Sequence, residues 1–188
     1  MFSLLWRPPD SSSVRERMPQ LALIVGIAVA KAIDRIASLP CQIKWPNDVY
    51  MNAMKLAGIL VESASNDAWI IGIGINVNVS ISKATIESVR DRATSLHYWT
   101  NQAIDRERVL IECLETLERE LTLWCQNEDY LSLNWPARCY LTGRKIQVET
   151  PTASHVGSCL GIDASGKLRL RSVHGEVLSI LTGSIHLV

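Results

Sequence analysis

Three short segments between residues 44 and 78 contain the side chains best suited to chemistry in this sequence. The first is Lys44-Trp45-Pro46-Asn47-Asp48. Pro46 disfavours helix in the residue before it and fixes a turn, which places Asn47 and Asp48 at a corner between two strands. Pro-Asn-Asp is also an ordinary turn sequence, so this segment alone does not separate a structural role from a catalytic one.

The second segment is Lys55-Leu56-Ala57-Gly58-Ile59-Leu60-Val61-Glu62, in which Lys55 begins a strongly apolar strand. Glycine inside a strand weakens it and often marks a bulge or the close approach of a ligand, and Gly58 is in such a place. Two of the six lysines in the chain, Lys44 and Lys55, flank this predicted hairpin. A lysine there could stabilise negative charge on a carboxylate or phosphate, although a lysine at a strand end is more commonly only solvated.

The third segment is Gly72-Ile73-Gly74-Ile75-Asn76-Val77-Asn78. Gly72 and Gly74 leave one face of an Ile/Val strand without side chains, which suits a flat ring or a pyrophosphate lying on the sheet. The Rossmann fingerprint is not met, because its third glycine and the following helix are missing. Asn76 offers a donor and an acceptor to an adenine edge or to a phosphate-bound metal, whereas a β-bulge with turn-forming asparagines is the structural alternative.

Hydrophobic periodicity predicts the elements that position these segments. Phe2–Trp6 is typical of a strand, and apolar residues at helical spacing from Leu21 to Ile36 predict a long buried helix closed by Pro40. Short alternating runs separated by polar turns then predict a sheet built mainly from hairpins. These runs are Cys41–Trp45, Val49–Met51, Leu56–Ser63 and Trp69–Val79.

The second half of the chain predicts two more helices and a small β-domain. Residues 80–104 are expected to form a loop with a short helical piece, and Asp105 is a candidate N-cap for a helix with an apolar stripe from Val109 to Trp124. A short helix is expected around Asp129–Trp135. Glycine turns then separate five short strands, which predicts an SH3-like barrel: Ile146–Glu149, His155–Ile162, Leu168–Arg171, Val177–Ile180 and Ser184–Leu187. We expect an α+β domain over residues 1–136 and the barrel over residues 137–188.

Composition excludes several classes of protein. The 188 residues are 47% hydrophobic and 20% charged, and 19 basic residues balance 19 acidic ones, so no global field favours nucleic acid or a membrane surface. The longest apolar run, Leu21–Ala30, is far shorter than the roughly 20 residues that a membrane span needs. No basic segment or cleavage site follows Met1, and five scattered cysteines without a CxxC pair favour free thiols in the cytoplasm over disulfides or a zinc site.

In this order and at this spacing, the three segments closely resemble the biotin–protein ligase family, the biotin–acetyl-CoA-carboxylase ligases. The resemblance extends to Phe2–Arg7 and the Ala22–Ala32 helix, and Gly161-Ile162-Asp163 with Gly166 is similar to the family's C-terminal barrel. It covers essentially the whole chain. It implies an α+β fold in which a mixed or antiparallel sheet packs with helices, as in class II synthetase-like ligases, followed by a small SH3-like β-barrel.

The resemblance implies a two-stage reaction. Biotin and ATP give biotinyl-5′-AMP and pyrophosphate, and biotin then passes to one lysine of biotin carboxyl carrier protein. Lys55 would contact the biotin carboxylate and the reacting phosphate, while Lys44, Asn47 and Asp48 would line the reaction centre. Asp48 would orient or deprotonate the acceptor lysine, whose unperturbed pKa of roughly 10.4 makes it a poor nucleophile at neutral pH.

The resemblance also implies the ligand contacts. Gly58 and Leu60 would present backbone to biotin, Gly72 and Gly74 would underlie the ligand, and Asn76 would hold adenine or metal. Mg²⁺ would accompany ATP, because it tolerates phosphate and water ligands and needs few protein ones. No cluster of protein side chains is expected to bind a metal by itself.

One departure from the family pattern concerns the start of the chain. Family members carry a Ser/Thr-containing strand end and a Gly-Arg-Gly-Arg loop before the segment that matches Phe2. Here no glycine precedes Gly26, and the single Gly-Arg pair, Gly143-Arg144, is in the predicted barrel. We therefore expect a catalytic domain that is truncated at its N-terminus. A helix-turn-helix is also missing, so no DNA partner is expected, and a homodimer is compatible with the sequence.

Three hypotheses follow. The chain is a biotin–protein ligase, or a truncated, catalytically impaired homologue that acts only as a binding module, or a lipoate-type acyltransferase, which Lys-Trp-Pro-Asn-Asp disfavours. The residues after Pro136 carry a net charge of about +3, from six basic and three acidic residues. They serve either for packing or to help engage the acceptor or ATP.

Overall fold

The computed structural model describes residues 1–64, 67–80 and 93–188. The chain begins with strand β1 (Phe2–Trp6), as predicted, followed by helix α1 (Ser12–Glu16) and a single 3₁₀ turn (Met18–Gln20). The predicted long helix is α2 (Leu21–Ala37), which is buried along most of its length. It ends at Ser38, whose backbone adopts the left-handed conformation (φ 53°) and whose N–H donates to the carbonyl of Asp34.

The first sheet consists of hairpins, as the sequence predicts. Its strands in chain order after β1 are β2 (Gln42–Lys44), β3 (Asp48–Met51), β4 (Met54–Ser63) and β5 (Trp69–Ile75). Their spatial order is β1-β5-β4-β3-β2, and every neighbouring pair is antiparallel. Leu56 is the extra residue of a bulge between β3 and β4, because Val49 pairs with Ala57 and Tyr50 with Lys55. The bulge therefore precedes Gly58 by two residues.

The two faces of this sheet have different surroundings. Side chains alternate between faces along a strand. One set, represented by Ala57, Ile59, Ile71 and Ile73, is buried in the core that includes α2. The alternate positions form the opposite face, which is more open to solvent. This open face carries the segments that the sequence marks as chemically interesting.

Among the described residues, three further helices follow the first sheet: α3 (Leu96–Thr100), α4 (Arg106–Gln126) and α5 (Tyr130–Asn134). Asp105 caps α4 as predicted, because its Oδ1 accepts a hydrogen bond from the N–H of Glu107 at 2.9 Å. Helix α3 is the helical piece expected within residues 80–104, and residues 81–92 of that segment lie outside the described residues. In the described part of the chain, no helix is both long and apolar enough to cross a bilayer.

The C-terminal residues form a second antiparallel sheet. Its strands are β6 (Lys145–Glu149), β7 (Ser154–Ile162), β8 (Leu168–Ser172), β9 (Val177–Ile180) and β10 (Ser184–Leu187), in the order β10-β6-β7-β8-β9. All five predicted strands are present, but the SH3-like barrel is not confirmed. Within the described residues β9 and β10 are opposite edges that do not pair. Closure depends on strand tilt and stagger, which a pattern of short strands and glycine turns does not encode.

The second sheet is joined to the first half of the chain by specific bonds. The indole N–H of Trp45 donates to the carbonyl of Gly166 at 3.0 Å, and the Gln20 amide donates to the carbonyl of Ala164 at 2.8 Å. Gly166 has a φ of +86°, and a Cβ there would lie 3.0 Å from a methyl group of Leu23. A glycine is therefore needed where the β7–β8 turn meets α2.

A buried ionic cluster fastens α4 to α2 and α5. The Lys31 ammonium lies 2.7 Å from Glu120 Oε2, and the hydroxyl of Tyr130 donates to the same oxygen. Burial alone raises the pKa of Glu120, but the hydrogen bonds from Lys31 and Tyr130 outweigh it and hold the pKa below the ordinary value. The cluster therefore contributes stability above the unfolded-state pKa of this carboxyl, and this contribution is lost as the pH falls through the folded-state pKa.

Glu120→Leu should lower the free energy of unfolding by about 2–4 kcal/mol, because it leaves the partly buried Lys31 without its carboxylate. It should also reduce the loss of stability that the wild type shows below about pH 4.5. Urea unfolding at several pH values measures both effects. Glu118→Leu on the exposed side of α4 is the matched control, and equal losses in the two variants would contradict the prediction.

Candidate functional site

The open face of the first sheet contains a strip without side chains. Gly58 on β4 pairs directly with Gly74 on β5, and Leu60 pairs with Gly72. A Cβ at Gly74 would have no neighbour closer than 4.0 Å, and the side chain of Leu60 is 58% exposed. The strip is therefore a flat, largely backbone surface with the apolar side chain of Leu60 at its edge. We call it the glycine floor.

An ion pair lies beside the glycine floor. The Lys55 ammonium is 2.6 Å from Asp48 Oδ1, and the two side chains are 46% and 20% exposed. A Cβ on Gly58 would lie 3.4 Å from both Cε and Nζ of Lys55 and 3.6 Å from Asp48 Oδ1. The missing side chain of Gly58 thus leaves room for the pair. An exposed ammonium here is available to a carboxylate or phosphate, and the carboxylate is available to an amine.

The turn before β3 is held firmly, which fixes Asp48. The side-chain amide of Asn47 donates to the carbonyl of Ile59 at 2.8 Å, and the N–H of Ile59 donates back to the carbonyl of Asn47 at 2.9 Å. Trp45 is buried against Gly166, and the Trp45–Pro46 peptide bond is cis. Asn47 therefore ties the turn to β4, and one N–H of its amide group is used in that structural bond.

Lys44 lies next to the ion pair. It is directly opposite Asp48 in the pairing of β2 with β3, so the two side chains share the open face. Its ammonium is 3.4 Å from the hydroxyl of Tyr50 and 5.4 Å from the centre of the Tyr50 ring. The structure thus brings Lys44, Asp48 and Lys55 together at one end of the glycine floor.

Asn76 lies at the end of β5, two residues beyond Gly74. Its backbone N–H donates to the carbonyl of Leu56, and its side-chain amide donates to the carbonyl of Thr94 at 3.0 Å. One N–H of this carboxamide is therefore bonded within the protein. The second N–H and the carbonyl oxygen still offer a donor and an acceptor to a ligand.

Residues 1–64, 67–80 and 93–188 contain no group of three His, Cys, Asp or Glu side chains that could hold a metal ion. Among the predicted site residues, Asp48 contributes the single carboxylate, and it is paired with Lys55. A cation at this site would therefore need most of its ligands from a bound substrate or water.

Sequence reasoning missed two parts of the site. Ser3 pairs with Gly72 and Leu5 with Ile70, so both side chains border the glycine floor, as the alternation of β1 could have indicated. Tyr140 stacks on Tyr50 with ring centres 5.0 Å apart. No local signal connects these two tyrosines, because 90 positions separate them in the sequence.

Comparison with known proteins identifies the family. Residues 1–78, which include every strand of the first sheet, match the family described as the biotin/lipoate A/B protein ligase family. The biotin–[acetyl-CoA-carboxylase] ligase of Paracoccus denitrificans is 32% identical over 168 residues, which are 84% of this chain and 68% of that protein. The chain belongs to the biotin–protein ligase family. The resemblance carried by the three motifs is thereby confirmed.

Two further relatives extend the comparison within the biotin–protein ligases. The bifunctional ligase/repressor BirA of Bacillus spizizenii is 32% identical over 185 residues, and the chain spans about half of its length (54%). The biotin protein ligase of Aquifex aeolicus, solved in complex with biotin and ATP, superposes with a TM-score of 0.85 at 28% identity, covering 100% of this chain and 78% of that one. The α+β fold with antiparallel sheets is therefore that of a biotin–protein ligase.

Proposed function

We propose that this protein is a biotin–protein ligase, which activates biotin with ATP to biotinyl-5′-AMP and transfers biotin to a lysine of biotin carboxyl carrier protein. The observation that carries this proposal is the Lys55–Asp48 ion pair at the edge of the glycine floor. The pair offers a cation for the first half-reaction and a general base for the second, and both groups lie beside a flat surface for the ligand. Family membership and the biotin- and ATP-bound Aquifex relative support the choice of substrates.

In the first half-reaction a carboxylate oxygen of biotin attacks the α-phosphorus of ATP. A carbon–oxygen–phosphorus link forms, and the bond to pyrophosphate breaks. Both reactants are anionic, so the ammonium of Lys55 stabilises their approach and the charge that develops on the phosphoryl oxygens. Lys55 is suited to this role because its side chain is half exposed and the missing Cβ of Gly58 leaves it clear.

The glycine floor is the proposed binding surface for biotin and the adenylate. Gly58 and Leu60 present backbone to biotin, and Gly72 and Gly74 allow the ligand to lie against the sheet. Asn76 would hold adenine or Mg²⁺ through the polar atoms of its carboxamide that the bond to Thr94 does not use. Mg²⁺ neutralises phosphate charge when it is bound with ATP, and it needs few protein ligands.

In the second half-reaction the acceptor ε-amine attacks the acyl carbon, an amide bond forms and AMP leaves. The amine must lose a proton, and Asp48 is the base that receives it. Asn47 holds Asp48 in place through its bonds to Ile59. Lys44, opposite Asp48, adds positive charge where AMP is released.

The proposed function also assigns a role to each part of the chain and a cellular compartment to the protein. Residues 1–136 form the catalytic domain, and residues 137–188 form a C-terminal domain of the SH3-like kind. The carrier protein is the one macromolecular partner that the reaction needs. All five cysteines are free thiols, which supports placing the protein in the reducing cytoplasm.

Asp48→Asn tests the assignment of the base. The variant should transfer biotin from preformed biotinyl-5′-AMP to the acceptor domain about 100-fold more slowly at pH 7.5, because general-base catalysis is lost. The difference in transfer rate between Asp48→Asn and the wild type should become smaller towards pH 10, where the acceptor amine deprotonates by itself. Rapid quench and mass spectrometry of the acceptor measure the rates.

Glu62→Gln is the control, since Glu62 is an exposed carboxylate on the same strand as Lys55. Equal transfer rates for Asp48→Asn and the wild type at pH 7.5 would reject Asp48 as the base. The alternative function, binding without catalysis, predicts that even the wild type gives no biotinylated acceptor.

A further inference from the structure

Four side chains form a continuous stack between the two sheets. The guanidinium carbon of Arg144 lies 4.3 Å from the centre of the Tyr140 ring. The rings of Tyr140 and Tyr50 are stacked at 5.0 Å with an interplanar angle of 25°. The Lys44 ammonium lies 5.4 Å from the Tyr50 ring. We call this set, Arg144–Tyr140–Tyr50–Lys44, the tyrosine stack.

Tyr140 is fixed by burial and by a backbone bond. The residue is 4% exposed, and its backbone N–H donates to the carbonyl of Ile43, the neighbour of Lys44. The N–H of Ile43 in turn donates to the carbonyl of Arg138, and Arg138 is bound to Asp34 at the end of α2. The segment before β6 therefore lies alongside β2, and Tyr140 is fixed relative to Lys44 by backbone bonds.

Lys44 also borders open space. A cavity of about 220 Å³ is lined by Lys44, Tyr50 and Tyr140 together with residues of β10, among them His186. Because Lys44 is directly opposite Asp48, the residue that lines this cavity also lies beside the Lys55–Asp48 ion pair. The lining of the cavity therefore combines residues of the first sheet with residues of the C-terminal sheet.

We propose that Tyr140 is a positioning residue for Lys44, acting through the ring of Tyr50. Stacking on Tyr140 restricts the rotation of Tyr50, and the fixed face of Tyr50 attracts the Lys44 ammonium. The segment that leads into the C-terminal sheet thereby sets the direction of a cation next to Asp48 and Lys55. The importance of the Lys44 orientation for catalysis rests on the proposed ligase function. The structural coupling of Tyr140 to Lys44 through Tyr50 does not depend on that function.

The coupling is tested without reference to activity by NMR of protein labelled with ¹³C at the lysine ε-carbons. The chain has six lysines, and Lys44→Arg identifies the Lys44 resonance. Tyr50→Leu should shift this resonance, because the ring current of Tyr50 is lost. Tyr140→Leu, and Tyr140→Met as a second aliphatic replacement, should move it in the same direction, whereas Tyr140→Phe should leave it in place.

Tyr98→Leu is the control, because Tyr98 is 61% exposed and packs on Trp99. It should not move the Lys44 resonance. The resonance of Lys31, which is held in the ionic cluster with Glu120 and Tyr130, reports whether each variant is folded. An unmoved Lys44 resonance in folded Tyr140→Leu or Tyr140→Met would overturn the proposal, and so would an unmoved resonance in Tyr50→Leu.

A double-mutant cycle tests the catalytic consequence. Tyr140→Leu should lower biotin-dependent ATP–pyrophosphate exchange by about 3–10-fold, the effect expected when one aromatic contact is lost. In a Lys44→Met background the same change should have no further effect. An equal loss in both backgrounds would mean a merely structural role and overturn the proposal. If the wild type shows no exchange, the ligase proposal fails, and the NMR result alone decides the positioning role.

Discussion

Lys55→Met should slow the formation of biotinyl-5′-AMP by about 10²–10³-fold in a single turnover. A direct contact with Asp48 holds the Lys55 ammonium at the edge of the glycine floor. Removing a preorganised donor that stabilises developing charge in an active site costs about 2.7–4 kcal/mol of transition-state stabilisation. Chromatographic detection of the adenylate after rapid mixing with biotin and ATP measures this rate.

The fold should tolerate this change. The Lys55 side chain is 46% exposed, and exposed ion pairs contribute at most about 1 kcal/mol to stability, so the unfolding free energy should change little. Lys145→Met, at an exposed lysine on β6, is the matched control and should retain the wild-type rate. An adenylation rate within threefold of the wild type in Lys55→Met would remove Lys55 from the proposed mechanism.

Gly58→Val should weaken the binding of biotinyl-5′-AMP by about 10–100-fold, which corresponds to the 1–3 kcal/mol typical of overpacking. A Cβ at this position would already lie 3.4 Å from Cε and Nζ of Lys55, and the valine methyl groups extend further onto the glycine floor. The Lys55–Asp48 pair must then shift, and the ligand loses its flat surface. Isothermal titration calorimetry measures the affinity.

Glu62→Val is the control for the second prediction, since it places the same side chain on the same strand and face beyond Leu60. Valine favours strands, so both variants should remain folded, and thermal unfolding checks this. An unchanged affinity in Gly58→Val would mean that the glycine floor is not the ligand surface.

The local parts of the site could be predicted from the sequence. Lys55 and Asp48 flank the same hairpin, so alternation and turn chemistry bring them close without any knowledge of the rest of the fold. Gly72 and Gly74 likewise predicted a bare strip, which the structure completes with Gly58 through strand pairing. The bulge could not be placed, because the side-chain pattern fits a register shift at Leu56 as well as one at Gly58.

The non-local parts could not be predicted. Tyr140 meets Tyr50 because the segment before β6 runs alongside β2, and no periodicity near either residue encodes that contact. The bond from one N–H of the Asn76 carboxamide to the carbonyl of Thr94, 18 residues away, could not be predicted either, and the ligand role of Asn76 stays a prediction. Which strands form the two edges of the C-terminal sheet could not be predicted either, because this depends on how all five strands tilt and pair rather than on the sequence of any single strand.

Biotin-dependent exchange of labelled pyrophosphate into ATP tests the central claim most directly, because it requires both substrates and reports only the reversible first half-reaction. With Mg²⁺ present, the wild-type chain should incorporate label when biotin is added and should not do so without it, and Lys55→Met should remove the biotin-dependent signal. If exchange by the folded wild-type chain does not exceed that of Lys55→Met, the assignment of this site as a biotin-activating centre is contradicted.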